Sequence, residues 1–188
     1  MFAWDYELEQ WINSPAGSHH SVDAVMAVVA GWSEPIFIGV VALWFALAWW
    51  RVRPADVGGA LTALLASGAA LVINVIASHI WSRPRPFVTH PGTVHLLLTH
   101  SADASFPSDH AAAAFAISGV LFAFHRRLGA LALFFCVLVM YARVYVGDHY
   151  PTDVLAGMLI GLSCAVLLMT VFQVIPRTAS RLAALLRG

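Results

Sequence analysis

The 188-residue chain is 60% hydrophobic and only 11% charged, with a mean hydropathy of +0.79, too little polar surface to close a globule in water. Its formal net charge is zero and every lysine-or-arginine position is arginine, so a basic nucleic-acid-binding face is excluded.

Along the chain, the opening MFAWDYELEQW is acidic and has no basic n-region, so it is not read as a cleavable signal. Residues Asp5 to Ile12 alternate acidic and aromatic positions and predict a short interfacial helix. The apolar run from Val22 to Trp50 is interrupted at Trp32-Ser33-Glu34-Pro35. Proline kinks a helix interior, so this is read as one bent span, with a short helix followed by a span as the alternative. Val57 to Trp81, Pro107 to Phe124, Gly129 to Val146 and Pro151 to Ile175 complete the set, near the roughly 20 residues that a bilayer core demands. The expected fold is all-α: a polytopic transmembrane bundle of five spans, six in the alternative, plus the interfacial helix. Residues 1–188 form one membrane-embedded domain. Cys136 and Cys164 lie within apolar runs and are expected as small core residues.

Alternating five spans puts the long Ser82–Phe106 loop and the Gly147–Tyr150 turn on one face. The other face receives Arg51, Arg53, Arg126, Arg127, Arg177, Arg181 and Arg187. The loop face holds Arg83, Arg85 and Arg143, together with Asp5, Glu7, Glu9 and Asp23. By the positive-inside rule the arginine-rich face, with the C-terminus, is cytoplasmic and the loop face is exterior.

Three clusters set ionisable groups at span ends, where a bare charge is costly. In Arg83-Pro84-Arg85-Pro86-Phe87, prolines stop the span and stiffen the chain, holding two guanidinium forks suited to phosphate oxygens. Anchoring to lipid headgroups would explain this cluster equally well. In Phe106-Pro107-Ser108-Asp109-His110, the proline starts a helix whose unpaired amides make an anion site. Ser108 can add its hydroxyl and His110 a proton, although ordinary capping by Ser108 or Asp109 would explain the same residues. In the third, Arg143 precedes Gly147-Asp148-His149-Tyr150-Pro151-Thr152-Asp153. There Asp153 stands four residues past His149, placed to accept its ring N–H and leave the other nitrogen as a nucleophile. A phosphate clamp, two histidines and an orienting carboxylate on one face are what phosphoryl transfer requires. Neither metal nor cofactor is called for, because arginines supply the positive charge.

The set R-P-R-P-F, F-P-S-D-H and A-R-V-Y-V-G-D-H-Y-P-T-D-V-L-A-G resembles the three-part signature of the type-2 phosphatidic acid phosphatase superfamily. Asp109, where many members have glycine, makes it similar to the branch of undecaprenyl diphosphatases that recycle the bacterial cell-wall lipid carrier. The resemblance implies His149 as the nucleophile forming a phosphohistidine, His110 as general acid and Asp153 as partner of His149. It further implies Arg85, Ser108 and Arg143 as phosphate ligands, helped by amides near Asp109. The chain departs from the pattern at Ser78, where the family's first motif usually carries lysine. His79 and Arg83 are the two candidates to replace that cation, with Arg83 preferred. The third motif opens with Ala142 in place of a frequent serine.

The expected activity is therefore hydrolysis of undecaprenyl diphosphate to the monophosphate at the outer face of a bacterial cytoplasmic membrane. Phosphatidylglycerophosphate or phosphatidate is the alternative substrate. A non-catalytic lipid or anion transporter would need the arginines but not an acid–base pair. A metal-dependent hydrolase would use His90, His95 and His100, but spacing by five fits neither a helix face nor a strand. These three are expected as loop histidines near the substrate headgroup. His19, His20 and His125 read as interfacial, and Asn74 as a residue bonding across helices or approaching the site.

Overall fold

Helices form because, in hydrocarbon, only they satisfy every backbone group within one segment. The computed structural model describes residues 3–185, with side chains to residue 172. Its elements are α1 (Ala3–Asn13), α2 (His20–Trp50), α3 (Pro54–Ile80), α4 (Pro86–Thr89), α5 (Asp109–Phe124), α6 (Arg126–Tyr145) and α7 (Pro151–Leu185). No strand occurs among the described residues. Helices α2, α3, α6 and the Pro151–Phe172 part of α7 are long and apolar enough to cross a bilayer. The 16-residue α5 is shorter, about 24 Å at 1.5 Å per residue, and lies within the bundle. Helix α2 continues unbroken through Pro35, so the interruption at residues 32–35 is internal to one span.

Helix α5 is the hub, packed against α7, α3 and α6, and like other fully enclosed helices it is apolar on every side. Alanine and glycine are what let its neighbours in. Helix α7 presents Gly157 and Gly161, four residues apart, to the backbone of α5. A Cβ on Gly157 would come within 2.4 Å of the Ser108 carbonyl, and one on Gly161 within 2.3 Å of the Ala112 carbonyl. This is close packing of small residues, the usual way helices associate in membranes. It binds the start of α5 to the start of α7, where the Ser108 amide donates to the Asp153 carbonyl at 3.1 Å. Cys136 and Cys164 are buried free thiols in this core.

The contacts separate two ends. At one, His125 lies 3.2 Å from Asp56, joining the α5–α6 junction to the start of α3 near Arg53 and Arg126. At the other, the 81–108 connection pairs with the α6–α7 turn, Leu97 donating to Val146 at 3.1 Å. The expectation that Arg177, Arg181 and Arg187 join the first end lies outside the described side chains.

Helix α1 lies across the loop end with its polarity turned inward. Asp5, Glu9 and Asn13, spaced by four, are all buried, while Trp4 and Trp11 face outward at 50% and 74% exposure. Asn13 donates to the carbonyls of His95 (2.9 Å) and Tyr145 (2.7 Å) and accepts from the His95 amide (2.8 Å). Burial, with a smaller push from the Asp5 charge, drives the Glu9 carboxyl up to about 7, against the lowering effect of Gln10.

Gly161→Leu is expected to destabilise the bundle by about 1–3 kcal/mol through overpacking against Ala112, read as a lowered unfolding midpoint in detergent. Because the docked state favours protonated Glu9, its stabilising contribution is whole below pH 4.5 and lost as pH rises to about 7. Hydrogen exchange of residues 3–13, corrected for intrinsic rate, should therefore speed up between pH 5 and 8; a flat profile would contradict this.

Candidate active site

Prolines shape the first segment as expected: α3 stops at Ile80, Arg85 is extended, and Pro86 opens the single turn of α4. Arg85 is thereby carried under the loop, where it is 5% exposed. Its Nε donates to Asp103 at 2.8 Å, and one terminal nitrogen donates to the Asp148 carboxylate at 2.8 Å and the Asp148 carbonyl at 3.1 Å. Arg143, at the end of α6, pairs with the other oxygen of Asp148. Asp148 thus bridges the two guanidiniums. Burial works against its ionisation, but the charges of Arg143 and Arg85 win and hold its carboxyl below the usual carboxylate range.

The turn carrying His149 depends on Gly147, whose φ of +81° favours glycine and where an added Cβ would lie 2.7 Å from the His95 carbonyl oxygen, leaving no room for a side chain. His149 is 2% exposed. Its Nε2 lies 3.4 Å from a terminal nitrogen of Arg85 and 3.4 Å from one of Arg143. Its Nδ1 lies 2.8 Å from the Ser105 carbonyl, which can only accept, so Nδ1 carries the proton. This differs from the expectation for Asp153, whose nearer oxygen is 3.8 Å from Nδ1. Asp153 instead accepts from the Ser105 hydroxyl at 2.5 Å and the Tyr150 amide at 2.9 Å. Burial lowers the His149 pKa, more than the Asp153 carboxylate raises it. At neutral pH the ring is uncharged, with a lone pair on Nε2 toward the arginines.

Arg85, Arg143, His149, His110 and Asp109 line one cavity of about 400 Å³. His100 and Asp103 close its loop side, and Glu34, Asn74 and Ser78 stand along the wall. Beyond them the lining turns apolar with Phe37, Ile38, Leu71, Val75, Ala114 and Ile117 of α2, α3 and α5. Asn74 reaches across helices to donate to Asp109 at 2.8 Å, and His110 lies 3.9 Å from Glu34. Ser108 does not line the cavity; its hydroxyl is buried without a partner and makes no capping bond.

Arg83 is placed elsewhere. It takes no part in the cavity lining; its guanidinium bonds Asp153 and Thr152 at 2.7 Å each and Asp5 at 2.6 Å, and stacks over the Tyr150 ring. Its guanidinium is thus held by two carboxylates outside the cavity, away from the place expected for a substitute of the absent lysine. His79 is exposed and bonds its own helix through the Val75 carbonyl. The additional ring at the cavity is that of His100, whereas His90 stacks on Tyr6 at 3.7 Å. Asp148, Ser105 and Asp5 carry structural roles here that motif reading did not assign. No cluster of metal-ligating type occurs among the described residues.

Fold and site together define a polytopic helical membrane protein with paired arginines and paired histidines at one end of the bundle. Residues 59–177 match the PAP2 superfamily, and the chain belongs to that family. It is 45% identical over 94 residues to the undecaprenyl-diphosphatase BcrC of Bacillus subtilis, covering 50% of this chain and 48% of that one. With the putative undecaprenyl-diphosphatase YbjG of Escherichia coli it shares 35% identity over 99 residues, 52% of this chain and 49% of the other. The chain thus spans about half the length of these curated relatives. The crystal structure of Aquifex aeolicus LpxE matches with a TM-score of 0.77 at 26% identity, covering 90% of this chain and 96% of that one.

A histidine with a lowered folded pKa resists protonation, so stability falls as pH drops below its ordinary 6.5 toward the folded value. Nitrogen-15 NMR of labelled histidine should show His149 as the Nδ1–H tautomer, titrating below 6.5; a midpoint at or above 6.5 would refute the assignment.

Proposed function

We propose that this protein is a membrane lipid phosphatase that hydrolyses undecaprenyl diphosphate to undecaprenyl phosphate through a phosphohistidine, supporting recycling of the cell-wall lipid carrier. The observation that carries the reading is the uncharged Nε2 of His149, 3.4 Å from both Arg85 and Arg143, in a cavity shared with His110. The guanidiniums grip the terminal phosphoryl oxygens, and the first amides of α5 at Asp109 are further donors. His149 Nε2 attacks the terminal phosphorus; the bond to the bridging oxygen breaks, and His110 gives that oxygen its proton. The substrate's own negative charge favours protonated His110. Water then attacks the phosphohistidine and loses its proton to His110. The N–P bond breaks, inorganic phosphate leaves and His149 returns to its neutral form. Asp153 and the Ser105 carbonyl steady the ring, and no step is assigned to a metal or cofactor.

The apolar wall from Phe37 to Ile117 suits a lipid tail lying between α2, α3 and α5. Choice of a polyprenyl diphosphate over a glycerophospholipid rests on the named relatives. Arg51, Arg53, Arg126 and Arg127 belong to the opposite end of the bundle, which supports a site facing the exterior of a bacterial cytoplasmic membrane and a cytoplasmic C-terminus. Residues 1–188 are read as a single membrane-embedded lipid phosphatase domain.

The test is phosphate release by purified protein from undecaprenyl diphosphate, phosphatidylglycerophosphate and phosphatidate, with and without chelator. Release from the first, undiminished by chelator, is expected; preference for a glycerophospholipid would reassign the substrate, and no release from any would favour a binding or transport role. His149→Ala and His110→Ala should each lose about a thousandfold in rate while still folding. Arg143→Lys should be severely impaired for want of a fork; full activity in either histidine variant would overturn the mechanism.

A further inference from the structure

We propose that Asp5, on the N-terminal helix, is a positioning residue for the nucleophile, acting through Arg83 on Asp153. Helix α1 lies outside residues 59–177, so nothing in the family match assigns it a part in the chemistry. Asp5 is nevertheless 1% exposed and spent entirely on the site's supports. One carboxylate oxygen accepts from the Thr152 amide at 3.0 Å; the other accepts from the Thr152 hydroxyl and from Arg83, each at 2.6 Å. The same guanidinium reaches Asp153 at 2.7 Å and sits over the ring of Tyr150, the residue next to His149. An arginine shared between two carboxylates is fixed in direction by both. Removing Asp5 frees one end of the fork and one tether on the first turn of α7, and Asp153 then loses its rigid placement 3.8 Å from the ring of His149.

The other groups facing His149 are Arg85 and Arg143 at 3.4 Å, the Asp148 carboxylate they share, Ser105, and His110 of α5 in the same cavity. None of these touches Asp5, so phosphate binding and nucleophile placement are separable. The inference rests on His149 being the nucleophile.

The test uses the full-length protein in detergent, comparing wild type, Asp5→Asn, Asp5→Glu and His149→Ala on undecaprenyl diphosphate. Asp5→Asn should lower kcat by about tenfold to a hundredfold with KM within about twofold. A displaced Asp153 supports the imidazolium less, so the acid limb of kcat/KM should move to lower pH, as should the NMR midpoint of His149. Asp5→Glu, which keeps the charge, should restore the position of the limb. A merely structural residue would lower the folded yield without moving limb or midpoint. Where Asp5→Asn reduces folded yield, Arg83→Lys carries the same readouts, because an ammonium cannot span both carboxylates. Unchanged kcat and midpoint in Asp5→Asn, beside an inactive His149→Ala, would overturn the positioning role and leave the nucleophile assignment standing. An active His149→Ala would overturn both, and a raised KM at unchanged kcat would make Asp5 a binding residue instead.

Discussion

Two guanidiniums share a buried pocket at the end of an otherwise apolar bundle, and the Asp148 carboxylate is what allows them to stay. Taking an arginine out of water costs several kcal/mol, and two facing each other add mutual repulsion. Asp148 sits between Arg85 and Arg143 with one oxygen to each, and Asp103 takes the remaining side of Arg85. The pocket keeps its forks aimed at a common point without holding two uncompensated charges. Arg85 comes from the chain after α3, Arg143 from α6 and Asp148 from the following turn. The ion pairs therefore join segments far apart in sequence, and the cavity and the fold of the long loop are one structure.

The close contact of α5 with α7 is the second constraint, and it follows from side chains that are missing. Gly157 and Gly161 let the backbones touch, so the first turns of two helices begin at the same place. Each start exposes amides with no intrahelical partner and the positive end of a helix dipole. Ser108 and Asp109 come with one helix, Thr152 and Asp153 with the other. A larger residue at either glycine would separate the histidine that lines the cavity from α5 from the one that precedes α7, without changing any residue of the motifs.

Much of this architecture is legible in the sequence because membrane insertion is a strong and simple constraint. Span lengths and loop punctuation follow from hydropathy and proline alone, and α2 stays one helix through Pro35, with Ser33 bonding back to Ala30 at 3.2 Å. Convergence of the three motif segments at one end follows from counting crossings. What the sequence conceals is how charges divide among partners. Arg83 and Arg85 look equivalent two residues apart, yet one turns toward Asp5 and Asp153 and the other into the cavity. Asp148 reads as a spacer beside His149, and Ser105 carries no pattern at all, because the ring's closest contact with it is to the backbone carbonyl. His100 is distinguished from His90 and His95 only by where an irregular loop lays it down.

Helix α1 shows why amphipathicity has to be read differently at a membrane. In water, an apolar stripe finds the core and acidic residues stay outside. Here Trp4 and Trp11 face outward, where a bilayer interface accepts indole rings, and the stripe of Asp5, Glu9 and Asn13 turns inward. Such a stripe is stable only over polar groups that need partners, and the end of this bundle supplies them: a guanidinium, the first amide of α7, and carbonyls left by the α6–α7 turn. A surface short of polar atoms thus concentrates its unsatisfied groups at the one place where chemistry requires them. A polar helix face beside an apolar bundle consequently marks the functional end of the fold before any single residue is assigned a role.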